Sequence, residues 1–96
     1  MIRSFGDKAT SDLYNGISSS KVRKLPLQIR DSAIYKLDVL NAAVSLDDLR
    51  SPPGNRLEAL KGDYAGFYSI RINIQWRIIF KWQDSAAVDV SIIDYH

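Results

Sequence analysis

Residues 68–83, Tyr68-Ser69-Ile70-Arg71-Ile72-Asn73-Ile74-Gln75-Trp76-Arg77-Ile78-Ile79-Phe80-Lys81-Trp82-Gln83, decide the fold. Tyr68, Ile70 and Ile72 alternate with Ser69, Arg71 and Asn73, and Trp76, Ile78, Phe80 and Trp82 alternate with Arg77, Ile79, Lys81 and Gln83. A period of two puts each set on one side of a pleated strand, so the stretch reads as two antiparallel strands joined by a turn. A dry core requires the large apolar residues of both strands to share a face. That condition is met if Ile72 pairs with Trp76 and Ile70 with Ile78 across an odd loop, Asn73-Ile74-Gln75; a two-residue loop would set Arg77 beside Ile72. The same register stands Arg71 opposite Arg77 on the other face. Facing like charges destabilise a strand pair by about a few tenths of a kcal/mol. Either an anion sits between the two arginines or both are splayed into water.

Downstream, Val88, Val90 and Ile92 alternate with Asp89, Ser91 and Ile93 and predict a further strand. Upstream, Ile29, Ala33, Leu37, Leu40 and Val44 recur at spacings of three and four, the stripe of a helix packed on a core, with Pro26 suited to its first turn. A weaker helical stretch spans Asp7 to Ile17 and ends near Asn15-Gly16, and Ser18-Ser19-Ser20 reads as a flexible connection. Ile2-Arg3-Ser4-Phe5 alternates like a short opening strand at a sheet edge. Between helix and hairpin, residues 45–56 carry Pro52-Pro53-Gly54, which bars regular helix or a central strand and predicts a shaped loop. Helices first and strands afterwards indicate an α+β fold, with N-terminal helices on one face of a small antiparallel sheet.

A chain of 96 residues has the length of a single domain, 1–96, with one core. Its 46% hydrophobic and 25% charged residues are ordinary globular composition. No cysteine is present, which excludes disulfides and thiolate metal sites and fits a reducing cytoplasm. The lone His96 cannot build a multi-histidine site, so no metal and no cofactor are expected. No stretch approaches the roughly 20 apolar residues of a membrane helix, and the first residues lack a signal-peptide core; a cytoplasmic protein without membrane contact is expected. A formal net charge of +2 suggests an anionic partner without identifying one.

The segment Leu49-Arg50-Ser51-Pro52-Pro53-Gly54-Asn55-Arg56-Leu57-Glu58-Ala59-Leu60-Lys61-Gly62-Asp63 resembles the central signature of HigB-type plasmid-maintenance killer proteins in the RelE/ParE superfamily. Tyr68–Asn73, Gln75–Ile78, the final Asp94-Tyr95-His96 and the opening Met1–Phe5 are similar to the family's other blocks, in the same order and spacing. The resemblance implies a RelE-like fold and a type II toxin–antitoxin system. It further implies metal-independent, ribosome-dependent cleavage of translated mRNA by an endoribonuclease, which inhibits translation. The implied partners are the ribosome with its mRNA and a helix-turn-helix antitoxin of the HigA type, through which alone operator DNA would be met.

Such cleavage needs a base for the 2′-hydroxyl proton, an acid for the leaving 5′-oxygen and positive charge at the phosphate. His96 has the only side chain with a reference pKa near neutrality, about 6.5, and is the first candidate for proton transfer. Asp94 and the terminal carboxylate could tune it. The resemblance implies Lys61 and Arg77 as holders of the scissile phosphate, and Tyr95 can stack on a base or donate a hydrogen bond. Arg71 and Lys81 are candidate RNA-binding residues that share one positive face with Lys61 and Arg77. Some family members carry a histidine where this chain has Glu58, which is expected either to serve as an alternative base or, the reading preferred here, to face solvent near the start of a helical turn. Strand parity puts Asp94 and His96 with buried Ile92 and Tyr95 with Ile93, so either a bulge re-aims the end of the strand or these residues lie beyond the sheet. Two rival functions are a ParE-like poison of DNA gyrase and a non-catalytic RNA-binding module.

Overall fold

The computed structural model describes residues 1–95. Among them, two α-helices, α1 (Lys8–Tyr14) and α2 (Leu27–Ala42), lie against a sheet of four antiparallel strands, β1 (Glu58–Ala59), β2 (Tyr68–Arg71), β3 (Trp76–Gln83) and β4 (Ala86–Asp94), in the order β1-β2-β3-β4. Asp7 caps α1, its Oδ1 accepting the Thr10 amide at 2.8 Å, and Gly16 leaves the helix with a positive φ. Helix α2 follows Pro26 directly and buries Ile29, Ala33, Leu37 and Leu40 along one stripe. Val44, expected to extend that stripe, lies past the helix end and is 74% exposed; Ala43 is buried instead. The connection after Ser18-Ser19-Ser20 contains a short 3₁₀ turn, Val22–Lys24, whose Val22 joins the core.

The hairpin has the register that parity requires: Ile70 pairs with Ile78 and Arg71 with Arg77. Its turn is organised by Asn73, whose Oδ1 accepts the amides of Gln75 and Trp76, both at 2.8 Å. This is the local side-chain closure that asparagine favours in turns. Ile70, Ile78, Phe80 and Val90 are fully buried against Ala33, Leu37, Leu40 and Leu49. Each such large side chain contributes about 1.5–3 kcal/mol by leaving water. Trp76, expected in the core, is only half-buried and packs at its margin.

Strand β4 departs from simple alternation. Ile79 pairs with Ser91 but Lys81 with Val88, so β4 carries one extra residue opposite Phe80, at Asp89 with φ 53°. This bulge keeps Val90 and Ile92 on the helix side while turning Val88 to the opposite face beside Lys81, where strict alternation had placed it in the core. Ala87 replaces it there. The opening segment runs parallel to the free edge of β4 through bridges Ile2–Ala87 and Phe5–Val90, covering that edge as expected. Gly6 is required at this close approach, because a Cβ there would collide with Ser91 Oγ and crowd the Asp89 carbonyl. Thr10 ties α1 to the same strand by accepting the Ile92 amide at 2.9 Å.

Residues 45–56 form two 3₁₀ turns, Leu46–Arg50 and Pro53–Asn55. Asp48 Oδ2 accepts the Val44 and Ser45 amides at 2.9 and 3.1 Å, and these bonds hold its carboxyl below the ordinary carboxylate range. Buried Asn55 donates to the carbonyls of Leu49 and Ser51 and accepts from Lys36 Nζ, which folds the loop back on α2. Directly after this loop Glu58 enters β1, an edge strand, and not the helical turn that was expected.

Candidate functional site

The helices cover one face of the sheet. On the other face, register brings together Glu58 from β1, Ser69 and Arg71 from β2, Arg77, Ile79 and Lys81 from β3, and Ile93 from β4. Arg77 stands near its middle on an interior strand, and its side chain is only 10% exposed. Its Nη1 lies 3.7 Å from Glu58 Oε1, too long for a hydrogen bond, and its guanidinium carbon lies 5.1 Å from the centre of the Tyr95 ring. Arg77 Nε and Nη1 and Arg71 Nε are buried donors with no hydrogen-bond partner among the described residues. The buried hydroxyl of Ser69, directly across from Glu58, is also unpartnered. Buried polar groups are normally satisfied, and leaving one unmade costs about 1–3 kcal/mol, more for charged groups. Two cross-strand guanidiniums with spare donors form a positively charged spot on this face, of the kind that can donate to an oxyanion.

The hairpin turn also sets the position of Tyr95. The Gln75 carbonyl accepts the Tyr95 amide at 2.7 Å, and Gln75 Nε2 donates to Asp94 Oδ2 at 3.1 Å. Asn73 shapes the turn, the turn presents Gln75, and Gln75 pins the segment that lays the Tyr95 ring beside Arg77. The bulge at Asp89 lies upstream of this point, and Trp76 pairs with Asp94 while Arg77 pairs with Ile93. Tyr95 consequently reaches the Arg77 face, whereas Asp94 stands with Trp76 toward the opposite side.

The candidates from the sequence thus separate. Arg71, Arg77 and Tyr95 are gathered. Lys81 is on the same face, 3.9 Å from Asp89 and over the Phe67 ring at 5.0 Å. Lys61 is exposed just beyond β1 and makes no ion pair with another described residue. His96 lies outside the described residues. Glu58, given a solvent role by the sequence reading, is the only carboxylate paired with Arg77 among the described residues. The sequence signal that could have found it was parity across a third strand, but a two-residue strand has too few positions to show alternation.

Residues 3–96 match the family described as RelE-like toxin of type II toxin-antitoxin system HigB. The chain is 40% identical over 96 residues to Toxin HigB-1 of Vibrio cholerae serotype O1, spanning 100% of this chain and 98% of that protein. It is 31% identical over 97 residues to Endoribonuclease HigB of Proteus vulgaris, spanning both in full. Among solved structures, it resembles one of a YoeB-YefM complex from Staphylococcus aureus with a TM-score of 0.60 at 17% identity, covering 100% of this chain and 98% of the other. It also resembles YafQ from an Escherichia coli BL21(DE3) strain, with a TM-score of 0.58 at 14% identity and coverage of 98% and 93%. At such low identity these two matches speak for the fold alone, and they agree with the RelE-like architecture expected from the sequence.

Proposed function

The chain belongs to the HigB family of RelE-like toxins from type II toxin-antitoxin systems, and from that premise we propose that it is an endoribonuclease cutting translated mRNA on the ribosome. The observation that carries this reading is the pair Arg71 and Arg77, cross-strand neighbours with buried donors left unbonded. Their fork geometry fits a phosphate, and charge placed in advance around a phosphate stabilises the phosphorane-like transition state without reorganisation. Lys61, on the turn after β1, adds a point charge once RNA is seated. Tyr95 offers a ring for base stacking beside the same guanidinium.

The proton transfers fall to Glu58 and His96. Glu58 accepts the proton of the 2′-hydroxyl as the 2′-oxygen bonds to phosphorus. The bond from phosphorus to the 5′-oxygen breaks, and His96 protonates that oxygen, leaving a 2′,3′-cyclic phosphate and a 5′-hydroxyl. Asp94, held by Gln75, orients the segment that carries His96. No step requires a metal or cofactor. A helix-turn-helix antitoxin of the HigA type holds the toxin inactive in the cytoplasm and provides its only route to operator DNA.

Mapping mRNA 5′ ends after brief induction, with translation running and with it blocked, tests this reading. New ends inside translated codons, lost when translation stops, are expected. Growth arrest without new ends overturns it, and cleavage that persists without translation removes the ribosome from it.

A further inference from the structure

Glu58 stands on the same sheet face as the two arginines that the reading above assigns to a phosphate, and its carboxylate is in ion-pair range of Arg77. Two guanidinium charges against one carboxylate leave a single net positive charge at this point of the face. The charge of Lys81 is offset by Asp89 at 3.9 Å, and Asp94 stands on the other side of the sheet, so neither changes that balance locally. An internal phosphodiester carries one negative charge. A terminal phosphate monoester carries nearly two at neutral pH and above, since its second pKa is about 6.

Resting on the phosphate-site reading, we infer that Glu58 is a specificity residue that makes this site select internal phosphodiesters over terminal phosphate groups. In the free protein the carboxylate fills part of the space an anion would take, but at 3.7 Å it does so without a hydrogen bond, so a phosphodiester displaces it from Arg77 at little cost. The displaced carboxylate stays on the same face, because β1 is paired with β2 through Glu58 and Ser69, and the unpartnered Ser69 hydroxyl is available to donate to it. From there it repels the additional charge of a monoester. The side chain of Glu58 is 49% exposed. In such a water-like setting one further unit of charge about 4 Å away changes relative affinity about fivefold, and more where bound RNA excludes water. The selectivity is that of an endonuclease: it disfavours chain ends and 3′-monophosphate products.

The test compares two probes on the purified full chain at pH 8. One is a deoxyadenosine dinucleotide, with a single internal phosphodiester and no 2′-hydroxyl to cleave; the other is deoxyadenosine 3′-monophosphate. The wild-type protein should prefer the dinucleotide, Glu58→Gln should move the affinity ratio toward the monophosphate about fivefold or more, and Glu58→Asp should largely restore it. Arg77→Gln should weaken both probes together. An unchanged ratio in Glu58→Gln, while Arg77→Gln still weakens both, overturns the selectivity and leaves the phosphate site standing. Binding of both probes that is indifferent to Arg77→Gln, or no binding of either, overturns the site and the inference with it. Circular dichroism on each variant confirms the fold, which Glu58→Gln on an exposed edge strand should not disturb.

Discussion

Replacing Arg77 by methionine separates chemistry from stability, because the two should move in opposite directions. Methionine keeps an unbranched side chain of similar length in a place where the guanidinium is nine-tenths covered. On the stability side, the variant gives up a contact with half-exposed Glu58, worth about 0–1 kcal/mol as an exposed pair. It also gives up the cation–π contact with Tyr95, about 0.5–1 kcal/mol. Against these, it removes two buried donors with no hydrogen-bond partner, at about 1–3 kcal/mol each, and the cross-strand repulsion from Arg71. The balance runs from neutral to stabilising by a few kcal/mol, a thermal midpoint unchanged or raised by roughly 4–8 °C for each kcal/mol gained in a chain of this size. On the chemical side, losing one preorganised donor costs about 2.7–4 kcal/mol of transition-state stabilisation, a 10²–10³-fold loss of cleavage. Thermal unfolding by circular dichroism and single-turnover cleavage of a programmed mRNA on ribosomes read the two quantities. A variant destabilised by more than about 2 kcal/mol would show that the guanidinium is structural. Cleavage at the parental rate in a folded variant would take Arg77 out of the site.

Phe80→Ala should do the reverse, losing about 3–5 kcal/mol of stability on chemical denaturation, because the ring is fully buried between Tyr68 and Trp82 in the core; a loss below about 1 kcal/mol would contradict that packing. His96→Gln should lower cleavage by about 10²–10⁴-fold with an unaltered melting curve and antitoxin affinity; a parental rate would shift the acid role to Tyr95 or Asp94. The amides of Val44 and Ser45 hold the Asp48 carboxyl below its unfolded value, so its contribution to stability is complete above about pH 4 and fades as pH falls through the lower folded value. Asp48→Ala should therefore destabilise the protein at neutral pH and flatten its acid-unfolding curve below about pH 4; an acid profile parallel to that of the parent would show that the carboxyl is not linked to folding.

Much of the architecture was legible because it rests on short-range periodicity. The spacing from Ile29 to Leu40 defines a helix whose stripe must be covered, and alternation in 68–83 with a three-residue loop admits one register that keeps both apolar sets dry. The facing of Arg71 and Arg77 follows from that register, so the centre of the candidate site was already present in the order of residues. What lay beyond reach depends on places where the chain leaves a simple period or meets a distant segment. The bulge at Asp89 shifts the parity of β4, exchanging Val88 for Ala87 in the core; nothing in an alternating row of valines marks where an extra residue is inserted. Val44 continued the helical spacing but not the helix, because the backbone turns out at Ala43 and the apolar stripe ends with it.

Sequence by itself determined the fold class, the hairpin register and the presence of paired arginines on the uncovered face, since each follows from local side-chain alternation and from the requirement that apolar surface leave water. Only the tertiary structure decided which groups those arginines meet. Glu58 comes from a two-residue edge strand fixed by pairing with β2, and Tyr95 arrives because Gln75, presented by the Asn73 turn, takes its amide. Charge in the site is set by those long-range placements. A carboxylate 19 residues from Arg77 in sequence lies 3.7 Å from it in space, and no local pattern encodes a distance that pairing across three strands creates.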